Sequence, residues 1–250
     1  MAPEPILSLS GIARSFGDLA VLRGVDLDVL TGEILGLIGP NGAGKTSLFN
    51  IISGFLEPDS GTVSFRGRNI RPLSPAERVH RGLVRSFQSS TIFPDLTVEE
   101  NVALAVRSRK SLAYRWWRPR AALSEADQVA LRLLADAGLE DDRRRLARDL
   151  SHGTNRLLDV VMALALEPAL LLLDEPTAGL SKAEAERLTA LLRRRRGSMT
   201  MIMIAHDLDI VFSFCDRIAV LDLGHMIAID TPAAIRANPR VQAAYLGQSA

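Results

Sequence analysis

Apolar positions along this chain change their period more than once, and those changes divide it. ILSLSGIARSF (6–16) and VLRGVDLDVLTGEILGLIG (21–39) alternate apolar and polar residues in short bouts broken by glycine, as strands and turns do. GAGKTSLFNIISG (42–54) then reads as a helix closed by Gly54, and GTVSFRG (61–67) as another strand. From about Ser89 to Ala165 the period becomes helical, in long Arg- and Ala-rich patterns such as EADQVALRLLADAGL (125–139). Strand-like runs resume with ALLLLDE (169–175) and MTMIMIAH (199–206), each followed by helix-like sequence. Continuous apolar strands alternating with helices predict a parallel sheet covered on both faces, and the middle stretch reads as an insertion into it. No internal repeat is visible.

Composition adds bounds. The 250 residues suffice for one large domain, or a core with a subdomain, and 47% apolar with 24% charged residues is ordinary for a soluble globular protein. A formal charge of +1 gives no global field toward nucleic acid. The single cysteine, Cys215, excludes an internal disulfide framework and suits a reducing compartment. No secretory leader is expected from MAPEPILSLSG, and the apolar runs stop well short of the roughly 20 residues of a spanning helix.

The candidate chemistry starts at GPNGAGKTS, comprising Gly39, Pro40, Asn41, Gly42, Ala43, Gly44, Lys45, Thr46 and Ser47. It fits G-x-x-x-x-G-K-[ST] directly after an apolar strand and directly before a helix, the context a phosphate loop requires. Its glycines let backbone N–H groups curl around phosphates, Lys45 reaches the terminal phosphates, and the Thr46 hydroxyl suits Mg²⁺. Of the 30 basic residues only three are Lys, at 45, 110 and 182, so the loop keeps a compact point charge in an Arg-favouring chain. Asp174 and Glu175 end the buried run LLLLDE, at the carboxyl end of a strand, where ligands of parallel sheets bind. Asp174 suits a hold on Mg²⁺, and Glu175 the orientation or deprotonation of water attacking a γ-phosphate. Gln88, where a strand gives way to the insert, suits contact with both the metal and that water, although a loop glutamine is the plainer reading. His206 suits a hydrogen bond to the γ-phosphate, against a plain helix-start residue before Asp207. Phe16 suits stacking on adenine, against a core phenylalanine.

In this order, these pieces resemble the nucleotide-binding subunit of an ABC transporter over nearly the whole chain. The resemblance implies an α/β P-loop NTPase with a RecA-like parallel core sheet, N-terminal antiparallel strands and an inserted helical subdomain. It implies a core of 1–88 and 166–250 and a helical subdomain of 89–165. It makes Phe16 the adenine-stacking aromatic, Gln88 the Q-loop, Glu175 the catalytic glutamate and His206 the switch histidine, with ATP and Mg²⁺ as ligands. DLSHGTNRL (149–157) falls on the signature sequence, which implies that Ser151, His152 and Gly153 meet ATP held by a second subunit. A helix start with a hydroxyl and a glycine suits that contact. His152 replaces the usual Gly, Thr154 the usual Gln, and Ser181 stands where many members have Asp.

TIFPDLTVEENVALAV (91–106), the long insert and the ending GHMIAIDTPAAIRANPRVQAAYLG (224–247) look most like the ATPases of branched-chain amino-acid importers. Implied partners are a second ATPase subunit, the same or different, transmembrane permease subunits and a separate solute-binding protein, with no nucleic acid. Implied placement is the cytoplasmic face of the inner (plasma) membrane, peripheral through the permease. The alternatives are the ATPase of a urea importer or lipid exporter, a soluble non-transport ABC ATPase, and a P-loop kinase. Trp116 and Trp117, among the basic residues of 106–123, read equally as a membrane or partner contact and as a hairpin folded back on its subdomain.

Overall fold

The computed structural model describes residues 4–86, 92–109, 120–205 and 207–246, and its chain divides into two compact units interleaved along the sequence. The first unit takes Met1–Leu83, Ala169–Glu175 and Arg196–Ala250; the second takes Val84–Pro168 and Pro176–Arg195.

The chain enters the first unit through β1 (Pro5–Phe16), β2 (Leu19–Leu30), β3 (Ile34–Ile38), α1 (Lys45–Ser53), β4 (Ser60–Phe65), β5 (Arg68–Asn69) and α2 (Pro75–His80). It leaves by β6 (Leu83–Ser86) for the helices α3 (Val98–Arg109), α4 (Arg120–Ala137) and α5 (His152–Ala165). After β7 (Leu170–Asp174) and α6 (Lys182–Arg193) come β8 (Thr200–Ile204), α7 (Leu208–Phe214), β9 (Arg217–Asp222), β10 (His225–Asp230), α8 (Pro232–Ala237) and α9 (Pro239–Leu246).

Two sheets form. One is antiparallel in the order β2-β1-β4-β5, and the other runs β10-β9-β3-β8-β7-β6. In the second sheet β3 pairs in parallel with β8 and β9, and β7 with β8, while β10 closes an antiparallel hairpin with β9. Every residue of β3, β7 and β8 is buried, as continuous apolar runs require of strands covered on both faces. A single apolar cluster draws on both sheets and on α1, with Leu7, Ile12, Leu22, Phe49, Leu172 and Ile204 among its members. This is the expected parallel core with N-terminal antiparallel strands. The alternating texture of 6–16 resolves into one strand whose register breaks between Leu9 and Ile12.

Helices of the second unit begin on side-chain caps where the sequence offers them. Ser151 caps α5, and Ser181 forms a reciprocal capping box with Glu184 at the start of α6. The sequence reading assigned 166–250 to the core, whereas the structure groups 176–195 with the helices. The reason is the stripe Leu188, Leu191 and Leu192 along α6, which is buried, and Arg195, which pairs with Asp136 of α4 at 3.0 Å. The first crossing falls at 83/84 rather than 88/89. Among the described residues no helix is long and apolar enough to cross a membrane.

Candidate functional site

Within the first unit, the turn between β3 and α1 carries three glycines at positive φ, Gly39, Gly42 and Gly44. No side chain caps α1, and its first turn carries no acidic residue, so the positive end of the helix is left for an outside anion. Gly39 begins the turn at φ 154°, and a Cβ there would lie 2.0 Å from the Leu221 carbonyl oxygen of β9, so only glycine fits. Asn41 and Gly42 are exposed at the rim, Pro40 and Ala43 are buried beneath, and Thr46 and Ser47 sit exposed and half-buried on the first turn of α1. The hairpin of β1 and β2 borders the same turn: the Val21 carbonyl oxygen would stand 2.8 Å from a Cβ on Gly44.

Lys45 is 9% exposed and folds its ammonium back on the turn, donating from Nζ to the carbonyl oxygens of Gly39 at 2.6 Å and Pro40 at 2.9 Å. Desolvation holds its pKa below the ordinary lysine value, opposed by the nearby carboxylates of Glu175 and Asp174. That opposition places the loop lysine and the acidic pair in one electrostatic neighbourhood. Asp174 ends β7 at 4% exposure. Glu175 follows at φ +47°, its N–H donating to Ile204 O at 2.8 Å. A left-handed backbone in a glutamate is uncommon; of the other described cases, Arg66 and Leu223 lie in hairpin turns and Glu167 in the turn after α5. At Glu175 the twist instead turns a carboxylate off the end of a buried strand, next to the phosphate loop. Among the described residues no three or more His, Cys, Asp or Glu side chains gather as a metal cage. Thr46, exposed on the first turn of α1, and Asp174, at the end of β7, carry hard oxygen donors of the kind that Mg²⁺ takes.

Phe16 ends β1 with its ring 49% exposed, not in the core, and the Arg14 guanidinium lies 5.0 Å from its centroid. Arg14 is itself fixed by Asp59 at 2.7 Å. Gln88, His206 and the Trp116–Trp117 pair lie outside the described residues. In the second unit, Ser151 accepts the Thr154 N–H at 3.1 Å and opens α5, with Ser151 and His152 exposed and Gly153 buried.

Two supports of the phosphate loop escaped the sequence reading. The β9–β10 hairpin presses Leu221 against Gly39, and Gly224 N–H donates to Ala43 O at 3.1 Å. From α9, the Tyr245 phenol is pushed up to about 12 by burial, with Asp222 adding and a hydrogen bond from the Gly39 backbone opposing. The only sequence signal was the turn string DLGH (222–225), which announces a hairpin and not its neighbour.

Comparison with known proteins follows the same geometry. A family model described as ABC transporter matches residues 22–178, and one described as branched-chain amino acid ATP-binding cassette transporter matches 225–250. The high-affinity branched-chain amino acid transport ATP-binding protein LivG of Salmonella typhimurium is 36% identical, covering 98% of this chain and 99% of its own. BraF of Pseudomonas aeruginosa, described in the same words, is also 36% identical over the same shares. Among solved structures, an ATP-binding cassette of an ABC transporter in its ADP conformation superposes with a TM-score of 0.82 at 32% identity, covering 97% of this chain and 99% of that one.

Proposed function

This chain belongs to the ABC transporter family as an ATP-binding cassette, and from that premise we propose that it powers an importer of branched-chain or similar amino acids. The solute class rests on near full-length similarity to LivG and BraF and on the family match at 225–250. Two such subunits, permease subunits and a separate solute-binding protein make up the working assembly, at the cytoplasmic face of the inner membrane.

One observation carries the site: a buried Lys45 and the pair Asp174–Glu175 share one electrostatic neighbourhood at the end of a phosphate loop. The loop backbone and the first turn of α1 receive the phosphates, and the Lys45 ammonium leaves the Gly39 and Pro40 carbonyls to pair with the terminal ones. Phe16 offers an exposed ring face to adenine. Thr46, Asp174 and Gln88 would hold Mg²⁺, which would supply positive charge against the charge that develops on the phosphates. Glu175 takes the proton of the attacking water, with His206 on the γ-phosphate, and Ser151, His152 and Gly153 of each subunit complete the site of the other. A solved cassette in a post-hydrolysis state bound to ADP and Pi is dimeric, with a TM-score of 0.77 at 26% identity over 90% of this chain and 98% of that one, which supports a paired arrangement.

The test is Glu175→Gln. Binding of a fluorescent ATP analogue should stay near wild type while turnover falls at least about a hundredfold, the scale of a lost general base. Turnover at the wild-type rate would remove Glu175 from the chemistry.

A further inference from the structure

Helix α5 has no acidic side chain in its own first turn, yet a carboxylate rests on it. It belongs to Glu184, the third residue of α6. One oxygen, Oε2, closes the capping box of α6, accepting the Ser181 N–H at 2.9 Å and the Ser181 Oγ–H at 2.7 Å. With the Glu184 N–H donating to Ser181 Oγ at 3.4 Å, the box is complete. The other oxygen, Oε1, is turned away from α6 and lies 3.4 Å from Ser151 Oγ, which donates to it. The carboxylate gets this close because residue 153 is glycine: a Cβ there would lie 2.1 Å from Oε1 and 2.4 Å from Oε2. A second contact runs alongside. The His152 imidazole lies against Gly179, where a Cβ would meet its Cδ2 at 3.7 Å and Nε2 at 3.8 Å. The segments 151–153 and 179–184 are therefore joined twice, once by a carboxylate shared between two serines and once by an imidazole on a glycine. The anion also suits its place, since it faces the positive end of α5. Hydrogen bonds from the Ser181 hydroxyl and backbone, with Ser151 adding, hold the Glu184 carboxyl below the ordinary carboxylate range.

We propose that Glu184 is a positioning residue that fastens the loop after β7 to the start of α5, so that both approach the partner subunit's ATP as one piece. This rests on the reading that Ser151 and Gly153 face a nucleotide held by a second subunit. The hydroxyl at 181 is part of the device. Serine donates a hydrogen bond to Glu184, whereas an ionised aspartate in its place would repel the carboxylate. Glycine at 153 is then required by its own chain, not by the partner alone.

The experiment is a mutant cycle on the full chain, reading kcat, KM for ATP, ATP-dependent dimerisation and thermal midpoint. Glu184→Ala should leave KM near wild type, because the phosphate loop lies in the other unit, and lower kcat by between about ten- and about a hundredfold, the scale of a misplaced group. Glu184→Gln should retain most of the activity, since its amide oxygen accepts from Ser181 and its N–H₂ donates to Ser151. Gly153→Ala should fall as Glu184→Ala does, and Gly153→Ala/Glu184→Ala no further than either, because methyl and carboxylate compete for one place. Additive losses in the double variant, wild-type kcat in Glu184→Ala, or faster turnover in it would each overturn the brace, the last by making the carboxylate a block. If Glu184→Ala unfolds, the Gln variant and the thermal midpoints still decide: an inactive but stable Glu184→Gln overturns the proposal. Ser151→Arg separates the two readings. Harmless Ser151→Arg sinks the trans contact itself, whereas a dead Ser151→Arg beside a wild-type Glu184→Ala sinks only the brace.

Discussion

Arg78 is buried at 3% exposure, and its guanidinium serves main-chain carbonyls. Nη1 donates to Ile51 O at 2.6 Å and Ile52 O at 2.8 Å, and Nε donates to Leu73 O at 3.1 Å. The last carbonyls of α1, the helix that carries the phosphate loop at its other end, thus have a partner inside the core. Arg78→Leu strands those acceptors, which should cost about 2–4 kcal/mol. A calorimetric midpoint lowered by several degrees should report it, and an unchanged midpoint would deny Arg78 this role. Nothing in PAERVH (75–80) announces such a residue, because its partners on α1 lie more than twenty positions away and the string looks like a surface helix. Lys45, Asp174 and Glu175 stand out for the opposite reason: the chemistry proposed for them is written into short contiguous strings. Ser151 was legible as a cap, but the carboxylate resting on Gly153 was not. Gly153→Asp, an obvious probe of a subunit interface, would set two carboxylates against each other within one chain.

Among elements, the β9–β10 hairpin fixes the phosphate loop as firmly as the loop's own sequence does. The Leu221 carbonyl fills the place of a Cβ on Gly39, while Gly224 bonds both Ala43 O and the Arg23 N–H, the latter at 2.9 Å. Gly39→Ala must therefore push two strands apart or deform the turn. Titration with a fluorescent ATP analogue should find affinity lowered at least about tenfold, with the fold retained by circular dichroism; full affinity would mean the hairpin yields. The parallel sheet was readable because strands buried on both faces need unbroken apolar runs, and β3, β7 and β8 have them. The placement of α6 was not, since its apolar stripe states that it packs and leaves open on what.

Across the whole molecule, a buried thiol and a half-buried phenol set an alkaline limit on stability. Burial pushes the Cys215 thiol from 9.0 to about 12, with Asp216 adding and Arg196 opposing, and pushes the Tyr245 phenol from 10.0 to about 12. Both folded-state values are raised, so the folded state holds protons that the unfolded chain releases. Their contribution is complete below about pH 9 and is lost as pH climbs toward 12. Lys45, with its value lowered by desolvation, acts in the opposite sense over alkaline pH and offsets part of the loss. Thermal midpoints should decline from about pH 9 upward, and Cys215→Ala and Tyr245→Phe should each make the decline shallower. A slope unmoved by both substitutions would place the alkaline transition elsewhere.

Tyr245 also changes how the far end of the chain is to be treated. Its phenol is near enough to the backbone of Gly39, the first residue of the phosphate loop about two hundred positions upstream, for that backbone to oppose the rise in its pKa. A stop codon that removes α9, or an affinity tag that prises it loose, is thus a lesion in nucleotide binding. Geneticists mapping null alleles of such a gene would find them in the codons of α9 as well as in its motifs.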